Sequence, residues 1–262
     1  MIDLHSHILP GIDDGAQDIE TSVEMAKMAV ADGTTHIACT PHIMPGIYDN
    51  NAAIIKQKII ELKQELANEG VPLNLLIGAD VHIGPTLIEG LNAGDIPSLH
   101  GTRYFLFEPP HHVMPPKLVE YSKKLLAANY IPILTHPERL TWIENHYDKM
   151  VQLDELGVPI QLTAASITGR FGARAKYWSE RMLDEGRVDI IASDAHNLKS
   201  RPPGLTKAFE IIASRLGEEA AIQIVHENPK LIMENKELPA KKRQVSVVQS
   251  NKKRKGFWRW FN

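Results

Sequence analysis

The sequence predicts an α/β protein, and within that class a closed or nearly closed β/α barrel. Seven short runs of apolar and β-rich sequence recur in a chain of 262 residues. Amphipathic helical patterns follow most of these runs, and strands that alternate with helices indicate βαβ units and a parallel sheet. Seven such units in about 240 residues favour a closed or nearly closed barrel over a doubly wound sheet.

The predicted elements follow one another in a regular order. The predicted strands cover residues 2–5, 36–40, 73–77, 103–107, 131–135, 159–162 and 188–192. Between them, helices are indicated by apolar residues spaced three and four apart, with a glycine where the pattern ends. Ile55, Ile59 and Leu62 share one such face before Gly70, and a similar pattern ends at Gly33.

Composition excludes several classes of protein. The single cysteine, Cys39, excludes an intramolecular disulfide framework and a cysteine-built zinc cluster, and favours a reducing compartment such as the cytoplasm. The net charge of −3 excludes a globally basic nucleic-acid binder. No apolar run approaches the roughly 20 residues of a transmembrane helix, and the first residues do not resemble a signal peptide.

Uneven charge separates a body from a tail. Residues 241–262 contain eight basic and no acidic residues, so the rest of the chain has a net charge of −11. We therefore expect a folded domain over 1–238 and a flexible basic and aromatic tail over 239–262. The tail could be a solvated end, a patch for a membrane surface or a protein partner, or a nucleic-acid patch. The acidic body argues against nucleic acid.

Potential metal ligands follow six of the seven predicted strands. His5 and His7 lie two residues apart on the first strand and therefore point to the same side. The other candidates are Asp14, His42, Asp80, Glu108, His136, Asp194 and His196. In a β/α barrel the carboxyl ends of the strands form the rim that carries the active site. Nine ligands without a thiolate exceed one tetrahedral zinc site and predict two or three ions, with Mn²⁺, Fe or Zn²⁺ all compatible.

A polynuclear site of this kind suits phosphoester hydrolysis. Arg139 and Arg201 follow two of the candidate ligands closely and could bind phosphate oxygens, or be solvated loop residues. His111 and His112 could protonate a leaving group, although simple exposure at the rim is the plainer interpretation. A thiol phosphatase needs an arginine six residues after its cysteine. Pro45 stands there instead, so Cys39 is interpreted as a packing residue.

Four blocks of sequence carry a resemblance to a known family. They are the opening Ile-Asp-Leu-His-Ser-His-Ile-Leu-Pro-Gly-Ile-Asp-Asp-Gly, then Thr-Pro-His, His-Pro-Glu-Arg and Ala-Ser-Asp-Ala-His-Asn. These blocks resemble the PHP (polymerase and histidinol phosphatase) superfamily, and within it the bacterial tyrosine-protein phosphatases of capsule and exopolysaccharide synthesis. The resemblance runs from residue 1 to roughly residue 235 and implies a distorted seven-stranded barrel with three metal ions.

The resemblance also implies roles for single residues. The three ions would be held by His5, His7, Asp80 and Asp194, by Asp80, Glu108 and His136, and by Asp14, His42 and His196. Arg139 and Arg201 would bind the substrate phosphate. The chain departs from the family pattern at position 80, where Asp80 replaces a glutamate that is one methylene longer. We expect metal binding to survive this change.

The resemblance implies a metal-dependent protein-tyrosine phosphatase in which a metal-bridging hydroxide attacks the phosphorus, with Mn²⁺ as the favoured cofactor. The implied substrate is a phosphotyrosine protein, such as a membrane-associated tyrosine kinase, reached from the cytoplasm or the inner face of the membrane. The tail could contact the membrane surface. Two alternatives remain: a small-metabolite phosphoesterase of the histidinol-phosphate type, and a metal-stabilised binding module without activity.

Overall fold

Nine parallel strands form the framework of the protein in the computed structural model, which describes residues 1–241. They are β1 (Ile2–Ser6), β2 (His36–Cys39), β3 (His42–Ile43), β4 (Asn74–Ile77), β5 (Asp80–His82), β6 (Tyr104–Glu108), β7 (Ile131–Thr135), β8 (Ile160–Thr163) and β9 (Ile190–Ala192). They pair in the orders β1-β2-β4 and β3-β5-β6-β7-β8-β9. The predicted α/β class with parallel pairing is confirmed.

Two of the predicted strands are followed by a second short strand. Two residues separate the end of β2 from the start of β3, and two residues separate the end of β4 from the start of β5. Pro41 interrupts the first pair because proline has no N–H to donate to the ladder. Gly78 interrupts the second, where a Cβ atom would meet the side chains of Leu99 and Thr40 at 2.8 and 2.9 Å. These breaks divide the strands between the two sheets.

Hydrogen bonds also join the first strand to the last. The backbone N–H of His7 donates to the carbonyl of Ala195 at 2.8 Å, and the N–H of Asp194 donates to the carbonyl of His5 at 2.9 Å. The carboxyl ends of β1 and β9 therefore lie side by side. Residues from both ends of the chain can meet in one site.

Ten α-helices are present in the described part of the chain. They are α1 (Ile19–Ala31), α2 (Ala52–Asn68), α3 (Leu87–Ala93), α4 (Leu118–Ala127), α5 (Ile143–Glu155), α6 (Ala164–Ile167), α7 (Gly172–Asp184), α8 (Thr206–Leu216), α9 (Glu218–Ile222) and α10 (Asn228–Met233). The two helices expected to end at Gly33 and Gly70 are α1 and α2. Asp18 and Asn51 cap their first turns with side-chain oxygens that accept backbone N–H groups.

Two groups of buried side chains hold these elements together. The larger group lies where the helices pack on the strands. The smaller takes alternate residues of the strands, among them Leu4, Leu76, Leu106 and Ile133. Alternate residues of a strand point to opposite faces, so strands β2, β4, β6, β7 and β9 contribute to both groups.

The chain reaches the amino ends of the strands again after α10. Lys241, inside the predicted tail, places its ammonium group within 2.5 Å of carboxylate oxygens of Asp154 and Asp189. The remainder of the predicted tail, 242–262, lies outside the described residues. Within 1–241, none of the helices has the length and apolar character needed to span a bilayer.

Candidate metal centre

The nine candidate ligands meet at the carboxyl ends of the strands. They come from the ends of β1, β6, β7 and β9, from β3 and β5, and from the loop that follows β1. Seven of the nine are buried, whereas His42 is half-buried and Asp14 has a side chain that is 46% exposed. The sequence-predicted residues therefore form one cluster with a buried floor and a more open side.

His5 and His7 form the buried floor of the cluster, and each has one ring nitrogen fixed. Nδ1 of His5 donates to the amide oxygen of Gln161 at 2.9 Å, and Nδ1 of His7 donates to Asp13 at 2.7 Å. The two remaining Nε2 atoms face each other at 3.2 Å. Two nitrogen lone pairs at that distance repel unless a proton or a cation lies between them, and this arrangement is typical of metal-ligating histidines.

Strand register brings the next candidates together. His42 on β3 pairs with Asp80 on β5, and Nδ1 of His42 lies 3.4 Å from the Asp80 carboxylate. The same carboxylate oxygen lies 3.5 Å from Nε2 of His5. Asp80 therefore lies close to both His5 and His42, although it is shorter than the glutamate of the family pattern. Glu108, on the neighbouring strand β6, lies 3.4 Å from Nε2 of His136.

Asp14 lies between His42 and His196 at the open side of the cluster. Its carboxylate lies 3.5 Å from Nε2 of His42 and 3.4 Å from Nε2 of His196. His7, Asp14, His42 and His196 each offer a ligand atom within 4.8 Å of the others. This spacing would accept one cation among them.

Asp194 separates the histidines from the arginines. Its Oδ1 atom lies 3.4 Å from Nε2 of both His5 and His7. Its Oδ2 atom accepts hydrogen bonds from Arg139 and from Arg201, the latter at 2.6 Å. One carboxylate thus contacts both predicted parts of the site.

Two candidate ligands have left-handed backbone conformations. His136 has φ of 34° and Asp194 has φ of 51°. For residues other than glycine this region costs roughly 1–3 kcal/mol, and such residues cluster at functional sites. His136 directly follows β7, and Asp194 lies two residues beyond the end of β9.

The polar atoms of the cluster fit divalent cations. Among the described residues, no hydrogen-bond partner reaches either carboxylate oxygen of Asp80, Nδ1 of His42 or Nε2 of His196, all of which are buried. Buried polar groups without partners are costly and rare, unless an ion satisfies them. Imidazole and carboxylate donors suit Mn²⁺, Fe and Zn²⁺.

The candidate histidines differ in pKa, which is raised above the usual value for some and lowered for others. Burial lowers the pKa of His7, but the carboxylates of Asp13 and Asp194 outweigh this and raise it to about 10. Burial lowers the pKa of His196 to about 4, and the neighbouring His7 adds to the effect. Burial and Arg139 hold the pKa of His136 well below its usual range. His136 and His196 are therefore neutral at pH 7 and ready to ligate.

Sequence reasoning assigned no role to several residues that support the cluster. Asp13 and Gln161 orient the floor histidines, as described above. His82, which was given no function, lies with Nε2 2.5 Å from Glu108, and His111 lies 3.2 Å from the same carboxylate. The alternation of Asp80 and His82 on one strand could have indicated that both face the site. No comparable sequence signal marks Gln161.

The cluster opens into a cleft of about 440 Å³. Its walls include His111, His112, Arg139 and Arg201, with Met44 and Val113 as apolar members. Both predicted arginines thus line the same cleft as the exposed side of the candidate ligand cluster. Cys39 does not: it is fully buried on β2, and burial raises the pKa of its thiol.

Fold and site together define a parallel α/β protein with a candidate polynuclear metal centre. The family model described as capsular polysaccharide synthesis, CpsB/CapC, matches residues 1–234, and the chain belongs to this family.

Individual relatives agree with this assignment. The tyrosine-protein phosphatase YwqE of Bacillus subtilis is 34% identical over 251 residues, which cover 94% of this chain and 98% of YwqE. The putative tyrosine-protein phosphatase CapC of Staphylococcus aureus is 35% identical over 80% of this chain and 82% of CapC. A crystal structure from work on YwqE and on CpsB of Streptococcus pneumoniae, described as unique metal-dependent tyrosine phosphatases, matches with a TM-score of 0.88 and 34% identity over 93% of this chain and 97% of the other.

Proposed function

We propose that this chain is a metal-dependent protein-tyrosine phosphatase that acts in capsule or exopolysaccharide synthesis. The observation that carries the proposal is a cluster of nine potential ligands that opens into a cleft lined by two arginines, in a chain whose relatives are named tyrosine-protein phosphatases. None of the relatives described above favours the small-metabolite alternative.

We propose for the metal ions the three ligand sets that the family resemblance implies. His5, His7, Asp80 and Asp194 hold a first ion, Asp80, Glu108 and His136 a second, and Asp14, His42 and His196 a third, with Mn²⁺ as the favoured metal. Ligand atoms lie within 4.8 Å of one another for His5, His7 and Asp80, for Glu108 and His136, and for Asp14, His42 and His196. Both carboxylate oxygens of Asp80 are buried without a hydrogen-bond partner, which also supports the assignment. We also propose that the two sheets form one distorted barrel of seven strand positions, supported by the hydrogen bonds between β1 and the end of β9.

The protein residues divide the work of phosphoryl transfer. Divalent ions, when bound, lower the pKa of water and neutralise charge on the phosphoryl group. Arg139 and Arg201 bind the nonbridging oxygens and stabilise the charge that develops on them. Both can turn from Asp194 towards the cleft, since their side chains are 19% and 22% exposed. The phenolate of tyrosine has a pKa near 10 and leaves with little need for a proton donor.

Cys39 has no place in this mechanism. A phosphocysteine route requires an accessible thiolate, whereas the thiol is buried and its pKa is raised by burial. Thiol alkylating reagents should therefore leave turnover unchanged.

The substrate in this proposal is a phosphotyrosine-bearing protein, namely a membrane-associated tyrosine kinase. We propose that the basic and aromatic residues of 239–262 bring the enzyme to that partner or to the membrane surface, since such residues are attracted to anionic lipid.

The first test is phosphate release from a phosphotyrosyl peptide by the purified protein with Mn²⁺ and after chelator treatment. We expect chelator-sensitive turnover that Arg139→Ala and Arg201→Ala each reduce by roughly 10²-fold or more, with metal content unchanged. A fall in metal content in these variants would contradict the phosphate-binding role. Full metal content without turnover, together with hydrolysis of a phosphorylated metabolite, would replace the proposed function with the small-metabolite alternative.

A further inference from the structure

The segment 170–174, which enters α7, contacts both arginine-bearing loops. Arg170 donates to the backbone carbonyl of Lys199 at 2.8 Å, two residues before Arg201. Arg174 donates to the carbonyl of Leu140 at 2.6 Å, the residue after Arg139. Five consecutive residues therefore hold the backbones of two loops that come from different strands.

Between these two contacts lies Phe171. The guanidinium carbon of Arg139 is 4.9 Å from the centre of its ring, and that of Arg201 is 5.9 Å away. Both distances fall within the range of cation–π attraction. The ring is half-buried, and its own backbone N–H donates to the carbonyl of Ala165 in α6 at 3.4 Å. One aromatic side chain thus serves both guanidinium groups.

The two arginines need such a surface because they carry like charges and share one partner. Both donate to the same oxygen of Asp194, whose other oxygen faces His5 and His7. When a phosphoryl group enters and the guanidinium groups turn towards it, Asp194 no longer fixes their position. The face of an aromatic ring attracts cations without carrying a negative charge that would compete with the phosphoryl group. The Phe171 ring can therefore keep both guanidinium groups beside the cleft after they leave Asp194.

We propose that Phe171 is a positioning residue that holds Arg139 and Arg201 as a pair for the phosphoryl group, while Arg170 and Arg174 fix the backbones that carry them. This inference rests on the proposed function, because it assigns phosphate binding to the arginine pair. Phe171 itself touches neither substrate nor metal in this role.

The test measures phosphate binding as well as turnover. Inorganic phosphate is titrated into the Mn²⁺-loaded full chain by calorimetry, for the parent protein and for Phe171→Ala, Phe171→Leu and Phe171→Tyr. We expect Phe171→Ala and Phe171→Leu to weaken phosphate binding about tenfold, and Phe171→Tyr to restore it to within about twofold, since only an aromatic ring attracts the cations. Tyr177→Leu, which removes a 57% exposed ring from α7, is the matched control and should bind phosphate normally.

A purely structural role for Phe171 would give a different pattern. Leucine would then restore binding as well as tyrosine does, or metal content would fall with phosphate affinity. The substitution Phe171→Ala would also weaken binding further in a protein that already carries Arg139→Ala and Arg201→Ala, whereas we expect no further loss there. Any of these results, or unchanged phosphate binding in Phe171→Leu, overturns the inference.

The outcome is separable from that of the proposed function. If phosphate binding depends on Phe171 but the protein does not hydrolyse phosphotyrosine, the positioning role of Phe171 is supported and the proposed substrate is wrong. If phosphotyrosine turnover is normal but substitution of Phe171 leaves phosphate binding unchanged, the proposed function is supported and the positioning role is wrong.

Discussion

Asp13 shows how one carboxylate can orient two candidate ligands without ligating. Oδ2 of Asp13 accepts from Nδ1 of His7 at 2.7 Å and from the backbone N–H of His42 at 3.0 Å. Its Oδ1 atom accepts from the N–H of Gly15 at 2.9 Å. Fixing the Nδ1 proton of His7 leaves Nε2 for a metal and adds to its basicity.

We expect Asp13→Ala to weaken metal binding roughly 10–100-fold, because partners of ligating histidines typically contribute that much to affinity. Mn²⁺ titration of the metal-free protein measures the change. Asp18→Ala removes another carboxylate from the same loop, but one that only caps α1, and should lower stability without changing metal affinity. Equal metal affinity in both variants would show that Asp13 has no orienting role.

Metal binding should also release protons at pH 7. In the metal-free protein, nearby carboxylates raise the pKa of His7 to about 10, so this imidazole is protonated. Coordination requires the neutral form, whereas His196, with a pKa of about 4, is already neutral. We therefore expect release of about one proton or more per protein, and a metal affinity that rises as the pH approaches 10.

Calorimetric titration with Mn²⁺ in two buffers of different ionisation enthalpy measures this release. Identical heats in the two buffers would mean that no proton leaves and that His7 is not protonated beforehand.

The sequence indicated the candidate ligands, which the structure brings together, better than the residues that contact and orient them. His5, His7 and the residues behind each strand were predictable because β/α folds build sites at the carboxyl ends of strands. Gln161 was not, since one glutamine within a buried strand has the same local pattern whether or not it meets a histidine from a distant strand. The spacing of Asp80 and His82 is a sequence signal that both share a face, but the contact of His82 with Glu108 depends on the register of β5 with β6, which local sequence does not specify.

At the scale of elements, the loop after β1 packs closely against the strand that precedes it. A Cβ atom at Gly15 would lie 2.1 Å from the carbonyl oxygen of His7 and 2.5 Å from its Cβ. The N–H of Ala16 donates to the same carbonyl at 3.0 Å. Only glycine lets this loop approach closely enough to bring Asp13 and Asp14 over the floor histidines.

We expect Gly15→Ala to displace the loop, with a loss of about 1–3 kcal/mol in the free energy of unfolding and a parallel loss of metal affinity. Gly84→Ala is the matched control in another loop of the site. A Cβ at Gly84 has its nearest neighbour at 3.9 Å, so both quantities should stay unchanged there. Thermal unfolding with and without Mn²⁺ reports the two effects, and full metal affinity in Gly15→Ala would disprove the packing argument.

Strand boundaries were predicted to within one or two residues, with β3 and β5 as the exceptions. Both are very short, at two and three residues, and each follows a break at proline or glycine. Local periodicity cannot identify a strand of that length. They form because the neighbouring strands already fix the ladder that they join, and they carry His42 and Asp80 into the site.

At the scale of the whole molecule, Lys241, the last described residue, lies at the opposite end of the strands from the candidate site. The ammonium group of Lys241 contacts Asp189, which directly precedes β9 and accepts the backbone N–H of Ile160 at the start of β8. It also contacts Asp154 near the end of α5. These are the amino ends of the strands, whereas the candidate ligands occupy the carboxyl ends.

From the contacts of Lys241 we predict that residues 239–241 stabilise the folded body, and two shortened chains test this. A chain that ends at Lys241 should unfold at the same temperature as the full chain. A chain that ends at Leu238 lacks the ammonium group that pairs with two buried carboxylates. It should lose about 3 kcal/mol in the free energy of unfolding, the lower end of the cost of removing one partner from a buried ion pair. For a protein of this size that corresponds to a melting temperature lower by roughly 6–12 °C.

Turnover of a small phosphotyrosyl peptide at low temperature should be unchanged in both shortened chains, because the contact is far from the cleft. Lys241→Met in the chain that ends at Lys241 separates the ammonium group from chain length, and it should reproduce most of the loss in melting temperature. If the chain that ends at Leu238 has the same melting temperature as the full chain, the ion pairs of Lys241 contribute nothing measurable to stability. The domain boundary then lies at 238, as the composition predicts. If it loses turnover at temperatures where it stays folded, the two ends of the strands are coupled, and residues 239–241 belong to the enzyme as well as to the fold.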